Sequence, residues 1–192
     1  MCRDMRWSKL FAISFCLLSL LCSCGRGEDE LLLESIEQTW RQCETQLPEA
    51  QARADGLRDS VRDASELVRQ KFDMLLIRLR DKCDAIPSSP DSALQAASYF
   101  EGRDNSVDRE RAYYYLGSAY RDLKDYPRAV GEFLKAVDAA RQSEAADTLI
   151  WQNALSQLTY LYVLQLRYDE ELNTALQSVE LARQSGWNVG LS

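Results

Sequence analysis

The chain has 192 residues, room for one domain rather than two. With 46% apolar and 28% charged residues it can bury a core, which excludes a disordered chain, and four prolines and eight glycines favour long helices over strands. A formal charge of −7 excludes a phosphate backbone as partner, and the lack of histidine removes the usual general base and the commonest metal ligand, so no catalytic role, cofactor or metal site is expected.

Met1 to Lys9 carries Arg3, Arg6 and Lys9, and Leu10 to Leu21 is an apolar run. That run is too short for an ordinary spanning helix, which needs about 20 residues. A basic start, a short apolar stretch and small residues after it read as an export signal over residues 1–23. Leu21-Cys22-Ser23-Cys24-Gly25 resembles the bacterial lipobox, an apolar residue and two small ones before an obligatory cysteine. In that family the cysteine takes a diacylglycerol and becomes the new N-terminus. The resemblance implies lipidation at Cys24 and a cell-envelope protein anchored to a membrane, the outer membrane favoured. Cys22 is the rival, but Leu21 is bulky at its cleavage position. Glu28-Asp29-Glu30 is similar to the acidic stretch that sends some lipoproteins to the cell surface, and it equally suits a solvated helix start. Residues 24–30 read as a polar tether.

An N-terminal helical segment is expected over 31–71. Leu32, Ile36, Trp40 and Cys43 share a face of its first helix, and Pro48 can open a second, polar helix from Glu49 to about Ser60. Val61 to Cys83 reads as one long helix, with Leu67, Phe72, Leu75, Leu76, Leu79 and Cys83 on its apolar side. After removal of the signal and lipidation of Cys24, Cys43 and Cys83 remain, as a disulfide that an oxidising envelope would permit or as two small buried apolar residues. Ile86-Pro87-Ser88-Ser89-Pro90 is a break, with Ser89 as N-cap and Pro90 at the first helical position of a helix to Tyr99 or Phe100. Four more helices are expected at about 107–123, 126–144, 147–166 and 169–184, with a tail at 186–192.

Tyr113, Leu116, Gly117 and Tyr120, then Ala129, Phe133 and Ala136, stand at the spacings of the tetratricopeptide (TPR) pattern W-x₂-L-G-x₂-Y then A-x₃-F. The chain resembles that family, strongly over 110–143 and more loosely over 72–185. A glycine inside a helix costs about 1 kcal/mol relative to alanine, so Gly117 calls for a close helix–helix contact, with Ala129 on the facing helix. Arg141 replaces the pattern's proline, which would let the second helix run on. Leu155, Leu158 and Tyr162 repeat Tyr113, Leu116 and Tyr120 at an offset of 42 rather than the usual 34, with Thr159 in place of Gly117, Glu171 for Ala129 and Ser178 for Ala136. The fold implied is all-α: antiparallel helix pairs stacked as a short TPR-like right-handed solenoid.

The whole is similar to the TPR lipoproteins and sensor ectodomains of Gram-negative bacteria. The resemblance implies a membrane-tethered scaffold that binds a peptide or protein along its concave face. Carried onto this chain, that face is Arg111, Tyr114, Ser118 and Arg121, with Asn153, Ser156, Tyr160 and Val163 in the next unit. The arginines could hold a carboxylate, or be ordinary surface residues. Two further readings are a truncated sensory ectodomain and a surface glycan-binding accessory using Trp151 and Trp187. Leu172, Ala175, Leu176, Val179 and Ala182 give the last helix an apolar face, which suggests a truncated chain or an end that docks on another chain, a homo-oligomer included.

Overall fold

A computed structural model describes residues 27–103 and 105–185. The expected export signal over 1–23, Cys24, Trp187 and the tail at 186–192 lie outside the described residues. The described residues form eight helices and no strand, so the fold is all-α. The helices are α1 (27–42), α2 (Leu47–Arg62), α3 (Glu66–Lys82), α4 (Asp91–Glu101), α5 (Ser106–Asp122), α6 (Tyr126–Arg141), α7 (Thr148–Leu164) and α8 (Tyr168–Gln184). The chain divides into two compact units, Met1–Leu75 and Leu76–Ser192.

In the first unit, α1 is described from Gly27 on, so the end of the expected tether, Glu28, Asp29 and Glu30 included, is helical. Arg53 Nη1 donates to Gln38 Oε1 at 2.6 Å, and the Ser65 N–H donates to Asp29 Oδ1 at 3.3 Å. Residue numbers fall along α1 as they rise along α2, so the two run antiparallel. Ile36, Trp40 and Cys43 of α1 are buried, as are Ala50, Ala54 and Val61 of α2. The helix expected from Val61 to Cys83 is α3, which starts five residues later, at Glu66. Helix α2 runs on to Arg62, and Ser65 starts α3 by accepting the Val68 N–H on its Oγ. Neither Cys43 nor Cys83 forms a disulfide. Cys43 is buried with its thiol directed at Thr39 O, whereas Cys83, expected on an apolar face, is exposed in the turn after α3.

In the second unit each helix from α4 onward packs on the next, and α5 also touches α7. Helices α5 and α6 are antiparallel: Tyr113 meets Lys135, Gly117 meets Phe133, and Tyr120 meets Arg128. The same devices recur along the chain. Asn105 caps α5 by accepting the Asp108 N–H, and Asp147, 42 residues on, caps α7 by accepting the Ile150 N–H. Each of α3, α5 and α7 ends in a Schellman turn. After α5 the Asp125 N–H donates to Tyr120 O at 2.8 Å and the Lys124 N–H to Arg121 O at 2.9 Å. After α7 the Arg167 N–H donates to Tyr162 O at 2.9 Å and the Leu166 N–H to Val163 O at 3.1 Å. After α3 the Ala85 N–H donates to Arg80 O at 3.2 Å and the Asp84 N–H to Asp81 O at 3.0 Å. The pivots Asp84, Lys124 and Leu166 have φ of 52°, 62° and 57°, values that glycine adopts most easily. A repeated helix–turn–helix unit is therefore written in the backbone even where its side chains have diverged.

Helix α6 ends at Arg141 rather than running on to 144. Ser143 Oγ accepts the Ala145 N–H at 3.2 Å, a local turn that competes with further helix.

Candidate functional site

Helix α5 sits at the centre of its unit. Most of its residues from Asp108 to Tyr120 are buried, the charged Asp108, Glu110 and Arg111 included. Its close contact is with α6. A Cβ built on Gly117 would lie 2.7 Å from Phe133 Cδ1 and 2.8 Å from Cε1, nearer than real Cβ atoms come. The atom pressed against Gly117 is thus the Phe133 ring, rather than the expected Ala129, which is itself fully buried. Leu116, Tyr120, Phe133 and Ala136 are buried around this contact, while Tyr113 is half-buried.

This central position changes the face expected to meet a partner. Arg111, Tyr114 and Ser118 are buried at 7%, 5% and 2% exposure. Arg111 donates from Nε to Asp147 Oδ2 at 2.9 Å and from Nη2 to the same oxygen at 2.8 Å. It therefore pins the start of α7 to α5. The adjacent Glu110 accepts the Asp147 N–H on Oε2 at 3.0 Å. Burial pushes the Glu110 carboxyl up to about 8, against the opposing Asp147 N–H bond; the Asp147 charge adds to the rise and Arg111 opposes it. Tyr114 lies edge-on to Tyr115, with ring centroids 5.0 Å apart, and 5.6 Å from the Phe133 ring. Burial raises its hydroxyl to about 12, a rise strengthened by Asp81 and opposed by Arg121. Tyr115 receives a 3.3 Å hydrogen bond from the buried Arg78. These α5 side chains bind helix to helix, and Tyr115 and Ser118 also line a small cavity with Ile77, Arg80 and Asp81.

The α7 residues are more open. Ser156, Tyr160 and Val163 are exposed, Tyr160 at 53%, and Asn153 is half-buried. Tyr160 and Arg121 line a groove of about 490 Å³ whose other walls are Ile86, Asp122, Lys124, Tyr126 and Gln157. Asn153, Ser156, Gln157 and Tyr160 share one helical face at spacings of three and four. Arg121 is already engaged, its Nη2 lying 2.7 Å from Asp122 Oδ1 and 3.8 Å from Asp81 Oδ1. Burial raises the Asp81 carboxyl, and Arg121 opposes that rise. A ligand carboxylate would share these cations with two protein carboxylates.

Ile86 and Lys124 were missed because they belong to turns, and Tyr126 because it is the first residue of α6. Their signal is the repeat itself: Ile86 and Tyr126 each stand two residues after a left-handed pivot, as Tyr168 does after Leu166. The groove combines cations, one carboxylate, an amide and three apolar or aromatic walls. Among the described residues no cluster of cysteines and carboxylates could hold a metal, and no helix is long and apolar enough to cross a membrane.

The fold and site define an all-α protein of consecutively packed helix pairs with an open groove at one set of turns. No protein-family model matches the chain, and neither does any curated protein or solved structure.

Proposed function

We propose that this chain is a TPR lipoprotein of the Gram-negative envelope, a membrane-tethered scaffold that binds a peptide or protein partner without catalysis. The observation that carries the repeat reading is the Gly117–Phe133 approach, because the pattern's glycine stands where a side chain cannot fit. The recurrence of the same caps and Schellman turns supports it. The lipid tether rests on Leu21-Cys22-Ser23-Cys24 and the basic, apolar stretch before it. The binding surface we assign is the groove of Arg121, Lys124, Tyr126, Gln157 and Tyr160, which shares Arg121 and Tyr160 with the face expected from the sequence.

Two experiments test this. Replacing Cys24 with alanine should abolish incorporation of a labelled fatty acid and release the chain from membranes; unchanged labelling contradicts the tether. A photocrosslinker at Tyr160 should capture a defined partner that the same group at Leu134, exposed on α6, does not. Equal capture from both positions contradicts the groove.

A further inference from the structure

Helix α8 presents two unlike sides. One side carries the buried Thr174 and Leu181 and faces α7, where Thr159 Oγ1 and Thr174 Oγ1 lie 3.1 Å apart. The opposite side carries Leu172, Leu176 and Val179, exposed at 61%, 61% and 67%. With Asp169 before them and Arg183 after them, these residues follow one another at spacings of three, four, three and four. That is the seam of a helix pair. Tyr168, 63% exposed, flanks its start.

The charged ends of the stripe are symmetric about Leu176. Asp169 lies seven residues before it and Arg183 seven after. A two-fold axis through Leu176 would lay a second copy of α8 antiparallel on the first. Leu176 would then meet the partner's Leu176, and Asp169 would meet the partner's Arg183. Leu172, four residues before the axis, and the partner's Val179, three after it, would fall about 1.5 Å out of level across the seam, close enough to share its apolar core. A two-fold interface must be complementary to itself, and this stripe meets that condition at its centre and at its charged ends. A parallel arrangement would instead set Asp169 against its own copy and Arg183 against its own. At the flanks the antiparallel arrangement brings Asn173, rather than a second carboxylate, toward the partner's Glu180. Arg183 now pairs with Glu180 at 2.7 Å, with both side chains well exposed, a bond weak enough to be shared.

We propose that the outer face of α8 is the contact between two copies of this chain, paired antiparallel about Leu176. The apolar stripe supplies the attraction, and the end charges fix direction and register. This interface lies on α8, apart from the groove assigned to a peptide partner. The two can fail separately.

The test uses the full chain in cells, as two copies carrying different tags. A photocrosslinker at Leu176 should yield a covalent species of twice the mass that contains both tags. Asp169→Arg alone, or Arg183→Asp alone, places like charges together at both ends of the seam and should lower that yield about ten-fold. Co-expressing the Asp169→Arg copy with the Arg183→Asp copy should restore it, because each end again joins opposite charges. That restoration also shows that both variants are folded. Capture of a different protein in place of the second copy overturns the proposal. So does a yield that ignores the single charge swaps, or a mixture of the two variants that recovers nothing.

Discussion

The pair α5/α6 and the pair α7/α8 are built on one plan and finished differently. Their N-caps stand 42 residues apart, as do their left-handed pivots Lys124 and Leu166. In the first pair Gly117 admits the Phe133 ring against the backbone, and Ala129 and Ala136 are completely buried on the facing helix. In the second, Thr159 occupies the place of Gly117 and meets α8 through its hydroxyl and that of Thr174. Glu171 and Ser178 stand where Ala129 and Ala136 do, and neither is buried. The first pair is a sealed centre, and the second keeps the backbone plan while leaving exposed apolar side chains on α8 and an open face on α7. The backbone turns therefore repeat more closely than the packing residues do, and the exposed apolar side chains lie mainly on the second pair.

The largest effect expected from breaking this contrast lies where the two pairs join. Asp147→Ala removes both the cap of α7 and the carboxylate that pairs with the buried Arg111. It should cost about 3–5 kcal/mol in denaturant unfolding. Next comes Gly117→Ala, expected to destabilise by about 1–3 kcal/mol through overpacking against Phe133, despite the better helix propensity of alanine. Gly131→Ala, in the middle of α6 with open space around a new Cβ, should instead stabilise by up to about 1 kcal/mol in the same assay.

Glu110 gives the centre a pH dependence. Its folded carboxyl holds a proton up to about pH 8, whereas the ordinary value is 4.5, so the folded chain binds more protons between those values. Stability should fall as pH rises from about 4.5 through 8, and Glu110→Gln should flatten that slope in melts taken across the range. The smallest effect is expected in the outer pair. Leu166 is 69% exposed and held at a φ of 57°, so Leu166→Gly should raise stability by about 1 kcal/mol, measured by denaturant midpoint.

Much of this was legible in the sequence. The four C-terminal helices fall within three residues of the expected ends, because capping residues and apolar spacing are local signals. The 42-residue offset was legible through Leu155, Leu158 and Tyr162, and the apolar side of α8 through Leu172, Leu176 and Val179. The boundary between α2 and α3 was placed a few residues early, at Ser60 and Val61, because only the Ser65 cap marks where α3 starts. Of the face expected from the sequence, Tyr160 and Arg121 line the groove, whereas Arg111, Tyr114 and Ser118 are buried. Charge and polarity place a residue at the surface only when its helix has a surface. Helix α5 has neighbours nearly all round, and its arginine and glutamate serve as pins between helices.

The claim on which this account depends is that Gly117 lacks a side chain because the Phe133 ring fills its place. A double-mutant cycle tests it, with unfolding free energies for the parent, Gly117→Ala, Phe133→Leu and the double variant. The account predicts that alanine at residue 117 costs at least about 1 kcal/mol less once leucine has replaced the ring, a coupling of the size found for residues in contact. Additive free energies, with alanine equally costly in both backgrounds, would contradict it.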